Sequence, residues 1–278
     1  MVGRHAFLPA FRTLRNVLKK YDADYSADRI LSMEAEYRRP LKVSKQLRLP
    51  FHYSEELFRY FGAETVDSID NSDYENATII RDLNMPVDGS LKNKYTCVWD
   101  GGTLEHIFNY PAALKNCMDM VEIGGYLVLQ TPANNMFGHG FYQLQPDIFF
   151  SVLCVQNGFT DTKVLVQDGW KRWYEIVPPK IIKDRVDICL SNKPCNLTVI
   201  SKKIGDVPDV LSIQQEYFVD IWTNKNTKWS SNPLLEKMFK TFAGVRICQF
   251  IYFNIFCRLF EGMKKKRFYK PVKLVSRI

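Results

Sequence analysis

The forty residues from Thr96 to Asn135 constrain this chain more than any other stretch, because they spell a strand, loop, helix, turn and strand in succession. Thr96-Cys97-Val98-Trp99 is β-branched and aromatic and stops at Asp100-Gly101-Gly102, as a buried strand ending in a loop does. From Pro111, the apolar residues Ala112, Ala113, Leu114, Cys117, Met118 and Val121 fall at helical spacing. Pro111 suits a first helical turn, and Gly124-Gly125 is the expected stop. Tyr126–Leu129 then reads as a second strand, expected to end at Thr131-Pro132 because proline cannot donate to a central ladder. A strand, helix and strand in this order make a right-handed crossover between parallel strands.

The flanking sequence continues the alternation. Arg29–Met33 is a brief apolar run expected to be a first strand. Tyr53–Phe61 is expected to be a helix, with Ser54 as N-cap and Gly62 at its end. Val66–Ile69 and Thr78–Ile80 read as strands, and Pro146–Gln156 as a helix stopped by Asn157-Gly158. Thr162–Val166 is a further strand, and Arg172–Val177 with Asn196–Ser201 is expected to close the sheet as a hairpin edge. The predicted class is α/β with a mostly parallel sheet. Three segments follow: a basic amphipathic helix in 1–28, an α/β domain over 29–205, and a helical, basic and aromatic extension over 206–278.

Composition bounds the function classes. With 46% apolar and 24% charged residues the chain reads as a globular protein. Its seven cysteines form no C-x-x-C pair and no metal-ligand spacing with histidines, which predicts a reduced, cytoplasmic protein and no metal site. The formal charge of +8 is uneven, since residues 236–278 hold eleven Lys or Arg against Glu236 and Glu261, leaving 1–235 at −1. Within that tail, Ile247–Cys257 is apolar but too short to span a bilayer, and Lys264-Lys265-Lys266-Arg267 follows. A helix docked on the domain is the simpler expectation, with peripheral membrane contact through 236–278 as the alternative. No nucleic-acid module or N/D-P-P-Y/F motif accompanies the basic tail, so no specific nucleic-acid partner is expected.

Candidate site residues sit where strands end. Asp70, Asp82 and Asp100 each follow a predicted strand, and open parallel sheets bind ligands beyond the carboxyl ends of their strands. A lone terminal aspartate is more often a turn residue, but three in succession point to one crevice. Residues 132–145 form a polar, glycine-containing loop holding Asn134, Asn135, His139 and Tyr142, and such a loop belongs at a site's rim. Glu105-His106 lies in the loop after the first strand of the central unit. His106 is a candidate to orient substrate or contact cofactor, with a hydrogen-bonded structural histidine as the equal alternative.

Over roughly 60–205 these stretches resemble the class I S-adenosylmethionine-dependent methyltransferases, especially those associated with bacterial surface-polysaccharide synthesis. VDSID, ending in Asp70, resembles the family's second strand, whose terminal acid binds the cofactor ribose. RDLN places Asp82 and Leu83 where the family puts residues beside the adenine. WDGGTLEHIFN followed by VEIGGYLVLQTP resembles the fourth-strand and fifth-strand motifs. The resemblance implies a Rossmann-like, doubly wound fold and S-adenosylmethionine as cofactor, with Asp70, Asp82, Leu83, Asp100 and Gly101 binding it. It also implies methyl transfer to a small-molecule or glycan hydroxyl, including a lipid-linked acceptor, with His139 and His106 as candidate bases and Asn134, Asn135 and Tyr142 contacting the acceptor. One departure stands against the pattern: ILSMEAEYRRP, the expected counterpart of the family's first loop, has no glycine. Either Ser32, Met33 and Glu34 form an unusual version of that loop, or the chain is a catalytically inactive scaffold that no longer holds the cofactor. A dinucleotide oxidoreductase is disfavoured, since no G-x-G-x-x-G follows a predicted strand.

Overall fold

The computed structural model describes residues 1–7, 11–21, 25–37, 52–169, 172–182, 192–209, 213–223 and 269–271. In chain order the elements are β1 (Ala6–Phe7), α1 (Phe11–Tyr21), α2 (Ala27–Tyr37), β2 (His52–Tyr53), α3 (Glu55–Tyr60), β3 (Ile69–Asp70) and β4 (Ile79–Ile80). The central unit is β5 (Tyr95–Asp100), a 3₁₀ turn at Leu104–His106, α4 (Tyr110–Met120) and β6 (Val121–Asn134). There follow α5 (Pro146–Val152), β7 (Phe159–Asp168), β8 (Arg172–Ile176), α6 (Pro179–Ile182), β9 (Cys195–Lys203), α7 (Glu216–Thr223) and β10 (Tyr269–Pro271).

The central crossover forms as the sequence predicts, with different punctuation. β5 and β6 pair in parallel from Cys97 opposite Tyr126 to Asp100 opposite Leu129. Helix α4 ends at Met120, however, before the two glycines, and Val121 already pairs with Tyr95. Gly124 and Gly125 instead accommodate a register shift in the ladder. Gly124 has φ +95°, and a β-carbon on Gly125 would lie 2.6 Å from the Thr96 carbonyl oxygen. The helix end is held by Lys203 of β9, whose buried Nζ donates to the carbonyls of Met118 at 2.9 Å and Val121 at 2.8 Å, and to Asn93 Oδ1 at 2.8 Å. An ammonium there satisfies carbonyls left without an intrahelical partner and complements the negative end of the helix dipole.

β6 also runs through Pro132 to Asn134. Past Leu129 its ladder partner is β9, with Pro132 opposite Asn196, while the Pro132 carbonyl accepts from the Leu144 N–H at 2.8 Å. The imide nitrogen therefore lies where β5 no longer asks for a donor.

The sheet order is β5-β6-β9-β7-β8-β10, and among the described residues β5–β6 is parallel while the other ladders are antiparallel. The α/β class stands, with a mixed sheet in place of a mostly parallel one. β9 is not a hairpin edge but inserts antiparallel between β6 and β7. Its side chains alternate between fully and partly buried along Cys195–Lys203, a period that specifies a strand but not its place in the sheet. β3 and β4 form a separate parallel pair, and Val2 bridges the two sheets by pairing in parallel with both Ile69 and Asp100. One core runs beneath both, built around Phe149, Phe159, Leu127, Leu197, Cys117 and Val2.

The expected first strand at Arg29–Met33 is helical, within α2. Ile30 and Met33, three apart, pack on Leu14 and Leu18 of α1 and Tyr60 of α3, while Leu31 faces outward. A five-residue apolar run does not separate the two periods. Ser32, Met33 and Glu34 are consequently not a loop, and Glu34 pairs with Arg15. Ser54 stands at the N-cap of α3 as expected, but its side chain makes no capping bond; its hydroxyl donates to the His5 carbonyl at 3.1 Å, where β1 pairs with β2. The extension adds β10 to the sheet beside β8. The predicted helix at 234–260 and the basic cluster at 264–267 lie outside the described residues. Among the described residues no helix is long and apolar enough to cross a membrane.

Candidate functional site

Beyond the carboxyl ends of β3, Val2 and β5, three short segments meet. The Val2 N–H donates to the Trp99 carbonyl and the Gly3 N–H to the Ile69 carbonyl, each at 2.8 Å, so the chain passes between β3 and β5 and then turns at Gly3. Gly3 has φ +68°, and a β-carbon there would lie 2.1 Å from Thr103 Oγ1; both the conformation and the close approach require glycine. Thr103 Oγ1 donates to the Val2 carbonyl at 3.1 Å. Two residues on, His5 Nε2 accepts the Gly101 N–H at 2.9 Å. Burial lowers the His5 pKa, which fits an imidazole that must present an unprotonated nitrogen to that donor. Sequence reasoning missed Val2-Gly3-Arg4-His5 because a single β-branched residue before a glycine shows no strand period.

The strand-terminal acids have different surroundings. Asp70 is half-buried at the end of β3, level with this turn, and its Oδ1 accepts one long bond from Ser72 N–H at 3.4 Å. Asp82 is exposed, and its Oδ1 accepts from both the N–H and Nδ2 of Asn84, which lowers its pKa. The Leu83 side chain points into the core. Asn84 in turn accepts from the Asn109 N–H at 2.9 Å, tying this turn to the start of α4. Asp100 is fully buried. Its Oδ1 accepts from the Thr103 N–H at 2.9 Å, just before the Leu104–His106 turn, while Oδ2 has no partner among the described residues. Burial, with the Glu105 charge nearby, pushes its carboxyl up to about 7.

A second cluster adjoins the first through the same turn. The Glu105 carbonyl accepts from the N–H groups of Phe141 and Tyr142 at 2.9 and 3.3 Å, pinning the 132–145 loop onto the Leu104–His106 turn. This brings His139 Nε2 to 3.5 Å from Glu105 Oε1 and sets the His106 and His139 rings 5.3 Å apart. Gly140 permits the approach, since a β-carbon there would lie 3.0 Å from the Glu105 carbonyl oxygen and 3.2 Å from His106 Nδ1. Glu105 is 1% exposed and its pKa is raised, chiefly by burial, whereas both histidines are open to solvent. Tyr142 donates to the Phe108 carbonyl at 2.6 Å. Phe108, Phe137 and Phe141 stand exposed around the cluster.

The structure thus groups Asp100, Gly101, His106, His139 and Tyr142 along one wall through Glu105, which the sequence pairs with His106 but to which it assigns no separate role. Asn134 and Asn135 serve the loop's own turn. Asn134 Oδ1 accepts from the Asn135 N–H at 3.0 Å, Asn135 has φ +57°, and its Nδ2 donates to the Lys193 carbonyl at 2.8 Å. No protein-family model matches the chain, and no curated protein matches it.

The residues present fit S-adenosylmethionine in part. A half-buried carboxylate at the end of β3 suits ribose hydroxyls, whereas the space beside Gly3 is taken by the chain's own Thr103 Oγ1, 2.1 Å from where a β-carbon would stand. Leu83, turned inward, offers no side-chain contact to an adenine.

Proposed function

We propose that the protein is a Rossmann-like S-adenosylmethionine-dependent methyltransferase acting on a hydroxyl of a small-molecule or glycan acceptor. The observation that carries the proposal is the parallel pairing of Val2 with both Ile69 and Asp100, followed at once by Gly3 in a left-handed turn. In a doubly wound sheet the first strand lies between the second and the fourth, and the resemblance assigns those to β3 and β5. The glycine turn missing from Ile30–Pro40 thereby has a counterpart at Gly3.

When bound, S-adenosylmethionine supplies a methyl group on a sulfonium leaving group. Asp70 would hold the ribose, and the Gly3–His5 turn and Gly101 would flank the methionine portion. His139 accepts the acceptor's hydroxyl proton, and the Glu105 carboxylate 3.5 Å away stabilises the imidazolium that results. The exposed rings of Phe108, Phe137 and Phe141 offer apolar faces on which a sugar or other flat acceptor can stack. Alignment of acceptor and donor against this wall contributes several kcal/mol of the rate enhancement, on the order of that found for positioned reactants.

One observation favours a second reading, an inactive methyltransferase-fold scaffold. The His5 ring lies 3.0 Å from the position a β-carbon on Gly101 would take, so the chain's own side chain fills space beside an expected cofactor contact. Titration of the wild type and Asp70→Ala with S-adenosylhomocysteine separates the two. Saturable binding lost in the variant supports the enzyme, and no binding to folded wild type supports the scaffold.

A further inference from the structure

We propose that Glu105, His106 and His139 form a binding site for a divalent transition-metal ion, held by one carboxylate oxygen and two imidazole nitrogens. One ligand atom from each lies within 4.8 Å of the others. Ligands at about 2.0–2.2 Å from a shared tetrahedral ion stand roughly 3.3 Å apart. Rotation of two solvent-open imidazoles about their side-chain bonds closes that difference. Two imidazoles and one carboxylate are the donor set that suits zinc, iron or manganese in preference to calcium or magnesium, and three protein ligands leave coordination positions free.

The second, independent observation is Glu105 itself. Its side chain is 1% exposed, yet Oε2 has no hydrogen-bond partner among the described residues while Oε1 faces His139. A buried carboxylate oxygen without a donor costs free energy that a cation at this point offsets. The surroundings also hold the backbones of the three residues together before any ion arrives. The Glu105 carbonyl anchors Phe141 and Tyr142, the His139 N–H donates to the Met136 carbonyl at 3.1 Å, and Gly140 lets the loop close on His106. Sequence spacing hides this site because 33 positions separate His106 from His139, and the fold alone brings them together.

An ion here would take the nitrogen that otherwise accepts a proton, and would bind and acidify an acceptor oxygen in place of the imidazole. The inference does not depend on S-adenosylmethionine binding and is tested without it. The full-length protein, freed of metal by chelation, is titrated with Co²⁺ and followed by visible absorption, with Zn²⁺ as competitor. The expected result is one equivalent of Co²⁺ displaced by Zn²⁺. His106→Ala and His139→Ala should each bind at least ~10-fold more weakly, with unchanged far-UV circular dichroism, as expected for exposed side chains. Absence of a saturable absorption change in the wild type overturns the proposal. So does a His106→Ala/His139→Ala double variant that binds as tightly as the wild type.

Discussion

His5 Nε2 accepts the Gly101 N–H at 2.9 Å across ninety-six positions of sequence, which makes the turn after Val2 and the turn after β5 one structural unit. The bond requires an unprotonated Nε2, and burial holds the His5 pKa below its ordinary value. A depressed histidine pKa contributes stability that is complete above the unfolded value of about 6.5 and is lost as pH falls through the folded value. The difference in melting temperature, wild type minus His5→Gln, whose amide oxygen can also accept, should therefore become more negative as pH falls from 7.5 to 5. Parallel profiles would show that His5 does not carry the dependence.

Asp100 has the opposite sign. Its folded pKa of about 7 lies above the ordinary carboxylate value, so its contribution is complete below about 4 and is lost as pH rises through 7. Asp100→Asn preserves the acceptor for the Thr103 N–H and removes the ionisation. The difference in melting temperature, variant minus wild type, is expected to grow more positive from pH 5 to pH 8. A constant difference would place the Asp100 pKa at an unperturbed value.

Lys203, the last residue of β9, anchors the end of α4. Lys203→Met keeps an unbranched side chain but leaves the Met118 and Val121 carbonyls without this donor, at a cost of about 3 kcal/mol. Burial lowers the Lys203 pKa, so the unfolded chain holds this proton to higher pH than the folded one, and the stability of the wild type relative to the variant should increase as pH rises from the folded toward the ordinary lysine value. Urea denaturation of both proteins at two pH values checks both statements.

The central crossover was legible because Thr96–Asn135 contains its own period, start and stop. The errors fell where local signals serve two purposes. Gly124-Gly125 looks like a helix stop and is a strand irregularity, because the actual stop, Lys203, lies more than eighty residues away. Arg29–Met33 is short enough to fit either period, and only the partners Leu14, Leu18 and Tyr60 decide it. β9 reads as a strand from its alternation, but its insertion between β6 and β7 is a fact of long-range pairing. At the site, His106 and His139 were visible as residue types in loops. Glu105 stood out beside His106 in the sequence, but its role depends on burial and on the 132–145 loop packed against it, and that of Gly3 on Val2 being paired on both sides.

The central claim, that the Val2–Gly3 turn and Asp70 form a cofactor cradle, is tested most directly by calorimetric titration of the folded protein with S-adenosylmethionine and S-adenosylhomocysteine. The account predicts saturable binding at one equivalent, weakened at least ~10-fold by Asp70→Ala through loss of charge-assisted hydrogen bonds. No heat of binding at millimolar ligand, or equal affinity in the variant, would contradict it.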